Sequence, residues 1–123
     1  MEEFVKEKLI YLETSKGKYP MSFNLNVMEE IQEQYGSMEA WGDIVGRKDK
    51  KSEPKVKDLK NGLMIMINEG IDIENETKTE KTPFLSPKQV GRILTELGFS
   101  EIYNKIKEIT VASAKSGEKE KNE

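Results

Sequence analysis

The hydrophobic spacing changes period once, near residue 25, and that change decides which folds are open to the chain. Tyr19, Met21, Phe23 and Leu25 alternate with Pro20, Ser22 and Asn24, the period of two that marks a strand with one buried face. The later apolar series repeat at three and four, the spacing of a helix face. A single strand needs a partner, and the short apolar run Leu9 to Leu12 lies just upstream. Between them, Glu13-Thr14-Ser15-Lys16-Gly17 has turn chemistry. Residues 4–25 therefore read as a hairpin, with Pro20 suited to an edge strand. Phe4, Val5, Lys8, Leu9 and Leu12 also fit a helix over 2–13, but that reading leaves Gly17 and the alternating strand without a partner. The expected fold is α+β: a short N-terminal antiparallel β-hairpin packed on a bundle of four to five helices.

The helices are marked by their ends. The first starts near Asn26, which with Glu29 makes a capping-box-like start, and carries Leu25, Met28, Ile31 and Tyr35 to a stop at Gly36. Ser37 opens a short second helix holding Met38, Ala40, Trp41, Ile44 and Val45, closed by Gly46. The third, over about 54–69, puts Val56, Leu59, Leu63, Met64, Met66 and Ile67 on one arc, leaves Ile65 outside it, and closes at Gly70. The fourth is the clearest: Ser86-Pro87-Lys88-Gln89 combines an N-cap Ser, a Pro in the first turn and a Gln at the third position. Val90, Ile93, Leu94 and Leu97 form its stripe before Gly98. A fifth starts at Ser100 with Ile102, Tyr103, Ile106 and Ile109 inward. Residues 1–114 thus read as one domain, with a charged linker at 46–54 and an acidic loop at 71–83. Residues 115–123 hold no apolar side chain and read as a disordered polar tail.

Composition then removes most chemistries. The 123 residues include no Cys and no His, so thiolate nucleophiles, disulfides, imidazole bases and His or Cys metal sites are all excluded. The longest apolar run, Leu63 to Ile67, is far short of the ~20 residues that cross a bilayer. The acidic start Met1-Glu2-Glu3-Phe4 does not resemble a secretory leader. Cytoplasm is the expected location, and no membrane is expected as a partner.

Individual motifs fare no better. Asp72, Glu74 and Glu76 open like a calcium loop, but Thr77 stands where the loop needs Gly and Pro83 where it needs Glu. The segment 88–109 has the outline of a helix-turn-helix, yet Leu94 and Asn104 break its pattern and Glu101 would face the DNA. Carboxylates at Glu29, Glu30, Glu33, Glu39 and Asp43 crowd a stretch without Lys or Arg, as a wet helix face does. No enzyme constellation, cofactor or nucleic acid is expected.

A contact protein remains. The acidic helices at 26–45 give way to a basic stretch, 47–60, of net charge +4, and such asymmetry favours oriented association, including self-association. Six Met residues add adaptable apolar surface. Met38 and Trp41, three apart on the second helix, are the candidate partner-binding residues, with the left-over Ile65. Each also fits a packing role, Trp41 in the core and Ile65 against a neighbouring loop.

The segment Lys18-Tyr19-Pro20-Met21-Ser22-Phe23-Asn24-Leu25-Asn26 runs into Met28-Glu29-Glu30-Ile31-Gln32-Glu33-Gln34-Tyr35-Gly36-Ser37. This arrangement resembles the small tail assembly chaperones of long-tailed bacteriophages and prophages. The likeness extends through the apolar helix at 56–69 and the Ser-Pro-Lys-Gln helix at 86–97, over most of residues 10–110. It implies a protein of the bacterial host cytoplasm that binds the tape measure protein, keeps it soluble and helps the tail-tube protein polymerise around it. Many such chaperones are made in two lengths by frameshifting, and a polar end like 115–123 suits that junction. The resemblance supplies no binding residues, and the charged insert at 47–55 departs from it. A small DNA-binding regulator and a phage structural subunit are the alternative readings.

Overall fold

The structure, a computed structural model, describes residues 8–46 and 55–121, with side chains described to residue 113. Strand β1 (Leu9–Thr14) pairs antiparallel with β2 (Gly17–Ser22), from Leu9 opposite Ser22 to Thr14 opposite Gly17. Ser15 and Lys16 form the turn, and Gly17 takes a positive φ of 131°, a conformation that costs glycine little. Thr14 Oγ1 accepts from the Lys16 amide at 3.1 Å and donates to the Gly17 carbonyl at 2.9 Å. Five helices complete the chain: α1 (Leu25–Tyr35), α2 (Met38–Gly46), α3 (Val56–Asn75), α4 (Pro87–Leu97) and α5 (Phe99–Lys121). The expected α+β architecture is the observed one.

Helix α3 is the axis. It packs against β2, α1, α2 and α4, and Leu59, Leu63, Ile65, Met66, Ile67 and Ile71 are all buried. A helix covered on most sides has no single core stripe. For this reason Ile65, off the expected arc, is nevertheless in the core. Gly70 does not end α3, as its sequence position suggested. An added Cβ there would lie 2.6 Å from the Pro20 carbonyl oxygen, so this glycine lets β2 lie directly on the helix. Pro20, Met21 and Ser22 are all buried, so the expected alternation of one inward face is not kept over the end of β2.

The strand ends because Asn24 begins a helix. Its side chain accepts from the Val27 amide at 3.1 Å, placing the N-cap two residues before the expected Asn26. The register shift buries Val27 with Ile31 and leaves Leu25, expected inward, 78% exposed. Gly36 closes α1 with a positive φ, and Ser37 Oγ accepts from the Ala40 amide at 2.9 Å at the start of α2.

The expected acidic loop begins later than residue 71, because α3 continues to Asn75. Two asparagines on α3, seven apart and so on one face, clamp the chain as it returns toward α4. Asn75 donates to the Thr82 carbonyl at 2.9 Å and accepts from its amide at 2.8 Å. Asn68 does the same to Leu85 at 3.1 and 2.8 Å. Ser86 then starts α4 with a full capping box, Gln89 Oε1 accepting from the Ser86 amide at 2.7 Å. At the other end of α4, Glu96 accepts from the Ser15 amide at 2.8 Å and its hydroxyl at 3.0 Å, holding the hairpin turn.

Helix α5 runs on to Lys121, through the segment expected to be a disordered tail. Residues 111–121 contain no Pro to stop it, and Gly117 alone does not. The charged linker falls mostly on residues 47–54, outside those described.

Gly70→Ala should lower unfolding stability by ~1–3 kcal/mol, since backbone rather than a flexible side chain opposes the new methyl. Urea titration with an unchanged m-value measures the loss.

Candidate functional site

The capped start of α4 and its abrupt end build an open groove. Gly98, at φ 87°, donates its amide to the Leu94 carbonyl at 2.8 Å. The chain turns there, so that α5 starts at once with Phe99. The first turn of α3 lies opposite. Between them runs a groove of about 600 Å³, with Leu94 in its floor and Val56 and Phe99 at its sides. Leu94 is buried, while Val56 is 45% and Phe99 36% exposed. Val56 was expected in the core. It occupies the first helical position of α3 and projects into this groove instead.

The rim is basic. Lys88 and Arg92, four apart on α4, share a helix face, and Lys60 reaches across from α3. The Lys60 stem lies over Gly91, where an added Cβ would meet Cδ at 3.4 Å. Phe99 is backed by Tyr103, ring centroids 6.5 Å apart, and the Tyr103 hydroxyl donates to the Val45 carbonyl at 2.6 Å. That bond ties α5 to the end of α2.

Lys60 also borders a neighbouring recess of about 360 Å³ lined by Tyr35, Asp58, Asn61 and Met64. Tyr35, Asp58 and Asn61 are joined there: the Tyr35 hydroxyl donates to Asp58 Oδ1 at 2.9 Å and accepts from Asn61 Nδ2 at 3.2 Å. Burial holds the Tyr35 phenol above its ordinary pKa near 10.0; the Asn61 amide lowers it in part and the Asp58 carboxylate raises it. Tyr11, which donates to Glu74, is raised chiefly by that hydrogen bond. A third recess of about 190 Å³ is acidic, with Glu30, Glu69 and Asp72 beside Met64, Ile65 and Phe84. Among the described residues no group of three or more His, Cys, Asp or Glu is placed to hold a metal ion.

The three residues nominated from sequence are not brought together. Trp41 is only 3% exposed, its Nε1 donating to the Asp58 carbonyl at 3.0 Å and its ring against Gly62. It is a core residue that locks α2 to α3. Ile65, at 6% exposure, is likewise core. Met38 is half-buried and packs on the same core. The groove instead uses Val56 and Phe99, which amphipathic counting had placed inside or passed over. The Lys88/Arg92 spacing was the signal available for its rim.

In comparisons with known proteins, no family model, curated protein or solved structure matches the chain. Among the described residues no helix is long and apolar enough to cross a membrane.

Two outcomes check these assignments. Trp41→Ala should cost ~3–5 kcal/mol of stability, the loss for a buried aromatic, whereas an exposed anchor would cost little; chemical denaturation decides. Tyr35 binds its proton more tightly folded than unfolded. The stability this gives is full below the unfolded pKa and is lost as pH rises through the folded one. Tyr35→Phe should therefore flatten the alkaline fall in stability above about pH 10, measured by urea titration at stepped pH.

Proposed function

We propose that this chain is a non-enzymatic tail assembly chaperone of the bacteriophage or prophage type, acting in the cytoplasm of a bacterial host. It binds the tape measure protein and keeps it soluble while the tail-tube protein polymerises around it. The sequence resemblance supports this reading, and one structural observation carries it: an apolar-floored groove between α3, α4 and the start of α5, open along Val56 and Phe99. A groove between helices is a common receptor for the apolar face of another helix. A tape measure protein offers long amphipathic helices that would aggregate unshielded.

The basic rim favours a second reading, a small DNA-binding regulator. A salt titration on duplex DNA separates the two, because a regulator held by phosphates loses affinity steeply with salt.

Co-expression with the tape measure protein is the direct test. The wild-type chain should raise its soluble yield and co-purify with it. Val56→Asp with Phe99→Ser, both at partly exposed positions, should abolish co-purification while the far-UV spectrum is kept. A tape measure protein left insoluble by the wild-type chain, or still held by the double variant, refutes the assignment.

A further inference from the structure

The groove also specifies the chemistry of its guest. Its floor and sides are Leu94, Val56 and Phe99, its rim carries Lys60, Lys88 and Arg92, and none of the described lining residues is a carboxylate. Among the described residues, none of these three cations lies within 4.0 Å of a carboxylate. Lys60 starts on α3 but crosses to α4, where a Cβ at Gly91 would lie 3.7 Å from its Nζ, so the three cations gather along the α4 edge of the floor. We infer that the groove receives an amphipathic helix whose apolar stripe is bordered by Asp or Glu along the edge that meets α4. This rests on the reading above that the groove takes a partner helix, and adds the partner's charge.

The physical case has three parts. Leu, Val or Ile at i, i+3, i+4 and i+7 of the guest would cover the floor and exclude water from it. Carboxylates beside that stripe would then meet cations at the edge of a newly dry surface, where Arg92 can bind a carboxylate in two-point fashion. Rim charges of this kind set partner choice and association rate more than total affinity. Duplex DNA fits less well: phosphates gain nothing from Val56 and Phe99, three cations neutralise few charges, and the chain as a whole carries net charge -3.

Two synthetic 18-residue peptides with the same leucine stripe test this, one with Glu along one edge of the stripe and one with Lys there. Each is titrated calorimetrically into the full chain. The Glu peptide should bind at least about tenfold tighter, with the gap narrowing at high salt. Lys88→Glu with Arg92→Glu, at exposed positions, should reverse the order, and an unchanged near-UV spectrum shows that the variant is folded. Equal binding, binding of neither peptide, or an order unmoved by charge reversal overturns the inference. So does a sedimentation profile in which the free chain dimerises through this face, or displacement of the Glu peptide by duplex DNA. Failure here leaves the chaperone reading standing if Val56→Asp with Phe99→Ser still abolishes tape measure co-purification. An intact Glu preference with no effect on the tape measure protein does the reverse.

Discussion

Missing Cβ atoms on α3 govern how near its neighbours come. Gly62 leaves room for the Trp41 ring and Gly70 for the Pro20 carbonyl. Eight residues apart, the two positions face different partners, so α2 and the hairpin dock on the same helix without competing. A side chain at Gly62 would push Trp41 and α2 outward, and one at Gly70 would push out the hairpin strand at Pro20. Helical propensity alone disfavours glycine inside a helix by about 1 kcal/mol each. Close packing on a central element is what offsets it here.

With α3 fixed in this way, the rest of the molecule is hung from it by polar brackets. Asn68 and Asn75 hold the returning chain, the capping box at Ser86 launches α4, and Glu96 joins the far end of α4 to the hairpin turn. Each bracket satisfies two donor or acceptor groups at once, which matters because an unpaired amide in a half-buried loop is costly. The groove is a product of this scheme. Its α4 wall is held at both ends, its α5 wall is anchored through Tyr103 to Val45, and neither needs a guest to be in place.

Much of this was legible in the residues. The α4 start at Ser86-Pro87-Lys88-Gln89 was complete in sequence because every contact it uses is local. The hairpin was legible because Gly17 and the Tyr19–Met21 alternation are local too. What failed depended on distant partners. Gly70 reads as a helix stop until Pro20 is seen to lie on it. The cap was expected at Asn26 and lies at Asn24, and both amides donate to Glu69, forty-odd residues away. Trp41 and Ile65 looked available because an arc drawn on one isolated helix cannot register packing from several sides. Val56 looked buried because the arc does not register that it stands at the first position of α3, 45% exposed. Of the groove, only the Lys88/Arg92 pair was local enough to be read.

The bracket between Asn75 and Thr82 also has a topological consequence. It closes residues 76–81 into a small ring at its own base, and Lys81 fastens inside that ring to the Lys78 carbonyl at 2.8 Å. Lengthening a closed loop of this kind adds only a slowly growing entropy term, and none of the added chain would be felt at Leu85 or beyond. The molecule therefore has a natural splice point at Thr79–Glu80, where foreign sequence could be carried without disturbing α4.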